Sequence, residues 1–302
     1  MNFGAGLWRL ADPKVSLASF ASLFLGLAAA GTQAPLAWSW LVLTVAGIFA
    51  VEVAKNASGE VFDFDSGVDQ AVSNEDRSPF SGGKRVLVDS LLSRRQTWAI
   101  ALGGYSLAIV IGLLICVVRE PRVLAIGIAG MALAFFYHAP PLRLAYRGLG
   151  ELAVGITYGP LIALGAFLVQ TWQTDTTLTW LSLSLGLLIA AFLLINEFPD
   201  YRADSAGSKR NLVVRLGRER AARLYLLFAG PAYLLPVWLG IESANPWLLG
   251  ALLGLPASCW AGARLLHEPD NTARIVPAQA ATLIAFLLFA LGAGCGLVLG
   301  AR

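Results

Sequence analysis

Apolar stretches of bilayer-crossing length recur along almost the whole chain, at about 15–32, 36–56, 97–118, 122–138, 148–170, 178–197, 219–240, 246–266 and 275–300. A hydrocarbon core about 30 Å thick takes a helix of about 17–25 residues. Within it each backbone N–H and C=O must find a partner inside the protein, so each stretch is expected to be helical. The pattern therefore predicts an all-α polytopic membrane protein, with nine transmembrane helices in a bundle. Composition agrees: 14% of the 302 residues are charged, against about 25% in a soluble domain.

Charge placement sets the expected orientation. With the N-terminus in the cytoplasm, 19 of the 22 Lys and Arg fall on the cytoplasmic side, leaving Arg119, Arg122 and Arg302 outside. That satisfies the positive-inside rule. Arg9 and Lys14 before the first apolar run give it the look of a signal peptide; we read it as the first span. A net charge of +3 is too small to imply nucleic-acid binding. Cys116, Cys259 and Cys295 lack CxxC spacing and read as buried, inert thiols.

Nearly all the polar chemistry falls on the inner side, in loops at about 57–96, 139–147 and 198–218. Asn196, Asp200 and Asp204 are spaced i, i+4 and i+8, and Asn56, Glu60 and Asp63 are spaced i, i+4 and i+7. Each set shares one helical face. Asp65, Gly67 and Asp69 follow the first set, where the helix should give way to a loop. Acids at a helix end can simply solvate a loop. Two such clusters, each at the inner end of a long apolar span, are better explained by a ligand, because ionised groups at a membrane edge are costly. Hard oxygen donors in this pattern suit Mg²⁺ carrying a phosphorylated substrate.

Both acidic clusters precede basic residues, a weak internal repeat: Lys84 and Arg85 after the first, Lys209 and Arg210 after the second. These cations could neutralise a diphosphate, or could simply express the positive-inside bias. The third inner loop carries Tyr137, His138, Arg143, Tyr146 and Arg147 around two prolines. His138 has the chemistry of a general base near neutral pH, although a lone His at a helix end more often serves as a structural donor. Gly155 with Gly159, and Gly250 with Gly254, have the small-xxx-small spacing that lets helices approach closely.

Asp63-x-x-x-Gly67-x-Asp69, the Y-R-G-L-G-E run at 146–151, G-P-L-I-A-L-G at 159–165, Asn196-x3-Asp200-x3-Asp204 and K-R-N-L-V-V-R-L-G at 209–217 occur in this order. In these motifs the chain resembles the UbiA superfamily of intramembrane prenyltransferases, within it most closely those acting on 1,4-dihydroxy-2-naphthoate in menaquinone synthesis. The resemblance implies a single transmembrane domain over 1–302, with a central cavity open to the cytoplasmic side. It also implies Mg²⁺-dependent transfer of a chain from a polyprenyl diphosphate to an aromatic acceptor, in a bacterial or archaeal cell membrane. Asp63, Asp69, Asp200 and Asp204 then hold Mg²⁺ and diphosphate, with Glu60 as a further metal ligand. Asn56 and Asn196 become polar partners, Lys84, Arg85, Lys209 and Arg210 diphosphate contacts, and Arg143 the basic residue of the third loop. The acceptor is expected near Tyr137, His138 and Asn196. The chain departs from the family's N-D-x-x-D pattern, with Gly59-Glu60 ahead of Asp63, so that either Glu60 replaces an aspartate or Asn56 shifts into the role.

Two rival readings remain at this level. One keeps the superfamily and changes the acceptor to 4-hydroxybenzoate, homogentisate or a glycerol-phosphate lipid. The other is an ion-coupled transporter or cation channel whose paired acids bind a permeating ion. Transporters place such sites near the bilayer midplane, whereas these acids lie at helix ends. No protein partner is implied.

Overall fold

The computed structural model describes residues 2–301, and every regular element among them is helical. Arg302, expected on the outer side, lies outside the described residues. α1 (Phe3–Ala11) begins at Asn2, whose side chain accepts from the Ala5 N–H, and α2 (Pro13–Gly31) starts again after Asp12. The break follows from Pro13, which fits a first helical turn but cannot continue an earlier helix. α3 (Trp38–Asp65) carries the first acidic cluster, and α4 (Val68–Ala71) is a single turn beyond it. α5 (Arg94–Val118) opens on a Ser93–Gln96 capping box, and α6 (Val123–Phe136) follows directly.

α7 (Gly150–Ile156) and α8 (Ile162–Thr171) form one rod with a wide turn at Thr157–Leu161, where Pro160 supplies no N–H and the ladder re-registers. The Tyr158 carbonyl at this turn accepts from the Ser22 hydroxyl of α2. α9 (Thr176–Ala206), α10 (Leu212–Leu216), α11 (Arg218–Glu242), α12 (Leu255–His267) and α13 (Thr272–Gly300) complete the chain; Pro246–Gly254 is a tighter-wound lead into α12.

Eight helical segments are long and apolar enough to cross a membrane. The helix expected at 122–138 is α6, with 14 residues; at 1.5 Å per residue it spans about 21 Å. α9 is the axis of the bundle: 72% of its apolar window is buried, the highest share of the eight. Leu178, Leu181, Leu185, Leu188, Ile195 and Phe198 pack inward from it. Large apolar side chains such as Val110, Val117, Leu234 and Ile241 face outward, as lipid-facing surfaces do. Cys259 and Cys295 belong to that outer surface and are exposed, which corrects their expected burial; both are unbridged.

The glycine spacings produce close crossings. A Cβ on Gly159 would stand 2.6 Å from the Ser182 carbonyl oxygen of α9, and one on Gly250 would stand 2.7 Å from the Gly292 carbonyl oxygen of α13. Gly250→Val must push α13 away. We expect it to destabilise the detergent-solubilised protein by about 1–3 kcal/mol, read as a lower unfolding temperature; an unchanged midpoint would rule out the tight crossing.

Candidate active site

The C-terminal ends of α3 and α9 bring the two acidic clusters together around one polar cavity of about 560 Å³. Both helices run past their apolar spans, α3 to Asp65 and α9 to Ala206, so the acids keep helical spacing where the sequence pattern passes into a loop. Asn56, Glu60, Asp63, Asp69, Lys84, Arg85, Tyr137, His138, Asn196, Asp200, Asp204 and Lys209 all line this cavity. Arg143 and Arg210 do not. Arg143 occupies a left-handed turn position, and its guanidinium lies 5.4 Å from the Tyr146 ring centre. Arg210 is exposed and meets Tyr146 only through its backbone N–H, 3.1 Å from the Tyr146 carbonyl.

Lys209 joins the two clusters. Its ammonium stands 3.7 Å from Asp63 Oδ2 and 3.9 Å from Asp204 Oδ1. Burial alone would lower its pKa, but Asp204, Asp63 and Asp200 outweigh burial and hold it well above the ordinary lysine value. Asp63 also accepts from the Tyr146 hydroxyl at 2.6 Å. Asn211 Nδ2 donates to Asp204 Oδ2 at 2.7 Å while its Oδ1 caps α10, which fixes the start of that helix to the site. Burial, then the neighbouring Asp63 and Glu60, push Asp69 up to about 8.

Other expected residues have structural partners. Asn56 donates to the Leu10 carbonyl of α1 at 2.8 Å, and one Glu60 oxygen accepts from the Leu87 N–H at 2.8 Å. Lys84 pairs with Asp12, and Arg85 with Asp89 at 3.3 Å. Arg9 meets Asp89 at 2.6 Å. Together these contacts tie α1 across the loop at 84–89.

The donor set fits a hard divalent cation. Asp200 Oδ1, Asp204 Oδ1, Asn196 Oδ1 and Glu60 Oε2 are buried without a hydrogen-bond partner, an arrangement that is costly unless a cation or donor arrives. Among the described residues no three His, Cys, Asp or Glu side chains converge on one point. Mg²⁺ does not need such a cluster: it takes one or two carboxylates per ion and completes its shell from phosphate and water.

Gly59 accounts for the departure from N-D-x-x-D. A Cβ there would stand 2.5 Å from His138 Cε1 and 2.6 Å from its Nδ1, so the imidazole occupies the space of a larger residue. Burial pushes His138 down to about 4, leaving it neutral, with Nε2 3.7 Å from Asp63 Oδ2. A neutral ring in this position favours a positioning role. Gly59→Ala should displace the ring and lower turnover, by less than the about 10²–10⁴-fold that loss of an acid–base group costs. Full activity with a bound-state His138 signal unmoved by NMR would refute the contact.

A second cavity of about 630 Å³, lined mainly by apolar residues of α3, α5, α6 and the α7–α8 rod, adjoins the first. The two share Lys55, Tyr137, Val154 and Tyr158. Lys55 and Glu52 were missed as site residues by the sequence reading, although two ionisable groups inside an apolar span are themselves a signal. Glu151 and Glu197 are a further buried acidic pair, with both Glu151 oxygens and one of Glu197 unpartnered.

The sequence matches the UbiA prenyltransferase family over residues 19–275. It is 30% identical to 1,4-dihydroxy-2-naphthoate octaprenyltransferase of Bacillus subtilis (strain 168), over 84% of this chain and 80% of that protein. To the enzyme of the same name from Mycobacterium tuberculosis it is 26% identical, over 96% of each. In fold it is similar to a UbiA homologue of Archaeoglobus fulgidus bound to GPP and Mg²⁺. That structure has a TM-score of 0.68 at 16% identity, covering 97% of this chain and 99% of that one. A UbiA homologue of Aeropyrum pernix K1 gives 0.63 at 20% identity, covering 89% and 98%. The chain is thus an integral membrane prenyltransferase, and it belongs to the UbiA prenyltransferase family.

Proposed function

We propose that this enzyme transfers a polyprenyl chain from its allylic diphosphate to 1,4-dihydroxy-2-naphthoate, with Mg²⁺, as a step of menaquinone synthesis. The observation that carries the reading is the junction of a polar, acid-lined cavity with an apolar one. The first suits a metal-bound diphosphate, and the second suits a long hydrocarbon tail. The names of the Bacillus subtilis and Mycobacterium tuberculosis relatives supply the acceptor.

In this reading Asp63, Asp69, Asp200 and Asp204, with Glu60, hold Mg²⁺, which when bound neutralises the diphosphate and makes it a better leaving group. Lys209 contributes a fixed positive charge between the two clusters, and Lys84 and Arg85 face the same diphosphate. Tyr146 holds Asp63 in place by its hydrogen bond. The allylic C–O bond breaks with its electron pair going to diphosphate, and a ring carbon forms the new C–C bond. Loss of a proton or of carbon dioxide then restores aromaticity. Tyr137, His138 and Asn196 flank the ring, and the bundle keeps water from the allylic cation. The acidic ends of α3 and α9 then face the cytoplasm, as the charge bias favours, in a single domain spanning the chain in a prokaryotic cell membrane.

The test offers purified protein, Mg²⁺ and a series of polyprenyl diphosphates a panel of aromatic acceptors, with products read by mass spectrometry. Prenylated naphthol from 1,4-dihydroxy-2-naphthoate is the expected product. Exclusive use of 4-hydroxybenzoate, homogentisate or a glycerol-phosphate lipid would overturn the acceptor and leave the reaction type standing.

A further inference from the structure

Lys55 lies within the apolar span of α3, eight residues before Asp63. At 1.5 Å per residue that is about 12 Å deeper along the helix than the acidic clamp. An ammonium at this depth is expensive without a partner. Its natural helix partner is Glu52, three residues earlier on the same face. Yet both Glu52 oxygens are engaged elsewhere: one accepts from Ser16 Oγ at 2.8 Å and the other from Ser19 Oγ. Glu52 itself is buried, at 6% exposure. Lys55 takes part in none of the ion pairs among the described residues; its ammonium stands 5.4 Å from the centre of the Tyr137 ring. It is half-buried and lines both cavities. The chain thus holds a cation without a hydrogen-bonding anion at the seam through which a prenyl group must pass from the polar cavity to the apolar one.

We infer that Lys55 anchors the carboxylate of the aromatic acceptor. This rests on the proposed acceptor being an aromatic acid. Lys209 and the metal ligands around Asp63, a helix rise of about 12 Å from Lys55, meet the diphosphate's charge and leave Lys55 for a second anion. An unpaired ammonium in the same water-poor cavity as a developing allylic cation would oppose ionisation by like-charge repulsion. A carboxylate seated on Lys55 removes that opposition and places the ring against Tyr137, next to the reacting carbon. Lys55 is thereby a specificity-determining residue: it selects acceptors that carry an acidic group.

The test compares acids with their neutral counterparts. In the wild-type protein, 1-hydroxy-2-naphthoate should bind at least about tenfold more tightly than its methyl ester by titration calorimetry, as expected for a charge-assisted contact. Lys55→Met should raise KM for 1,4-dihydroxy-2-naphthoate by about tenfold or more, while KM for the prenyl diphosphate stays within twofold and carboxylate-free 1,4-dihydroxynaphthalene is unaffected. Lys55→Arg should restore much of the loss. Equal binding of acid and ester by the wild type overturns the inference and needs no variant that folds. A Lys55→Met effect on prenyl diphosphate KM instead assigns Lys55 to the diphosphate, which also overturns it. Failure of the wild type to prenylate any aromatic acid sinks the acceptor reading itself, a result distinct from turnover that is indifferent to Lys55.

Discussion

Replacing Asp200 by Asn should reduce prenyl transfer by at least about 10²–10³-fold, the usual cost of removing one preorganised electrostatic contact at a reacting group. The substitution keeps volume and shape, so packing around the C-terminal end of α9 is preserved. What it removes is charge on a side chain whose Oδ1 is buried and has no partner in the protein. If that oxygen serves a cation, its loss costs metal and diphosphate together. Product formed by purified protein at saturating prenyl diphosphate, measured across a Mg²⁺ titration, reads the effect. Circular dichroism should report an unchanged helix content. Turnover within twofold of wild type would remove Asp200 from the clamp.

Lys209→Met should act on both stability and binding. Lys209 is the cation that stands between Asp63 and Asp204, and its side chain is 17% exposed. Removing one partner of a buried ionic group leaves the others uncompensated, at about 3 kcal/mol. The unfolding temperature in a metal-free buffer should fall accordingly, and added Mg²⁺ should recover part of the loss by replacing the missing charge. Binding of the prenyl diphosphate should weaken by about 10²-fold, the worth of a charge-assisted contact of the stronger kind. Lys209→Arg should retain most of both. An unchanged melting point without metal, together with an unchanged diphosphate affinity, would show that the bridge contributes nothing.

Much of this arrangement was legible in the sequence because it depends on short-range periodicity. Asn196, Asp200 and Asp204 lie on one face of α9 whatever the rest of the chain does, and the apolar length of α9 fixes that they stand at its end. The glycine pairs likewise mark close crossings through their spacing alone. What escaped depends on contacts between distant segments. Hydropathy cannot separate a side chain buried in the bundle from one facing lipid, since both surroundings are apolar; Cys259 and Cys295 were misplaced for that reason. Arg143 and Arg210 lie close in sequence to site residues, but a left-handed turn at Arg143 and an exposed loop at Arg210 aim them elsewhere. Lys55 and Glu52 were hidden inside a stretch read for its length, and only the cavity boundary gives them meaning.

The fit of His138 over Gly59 couples two positions that lie far apart in the chain. Any side chain at 59 meets the imidazole, so an Asn there requires the His138 ring to move. With a smaller residue at 138 that contact is absent, so substitutions at the two positions should not be additive. The unusual first motif is therefore coupled to a loop position 79 residues further along the chain.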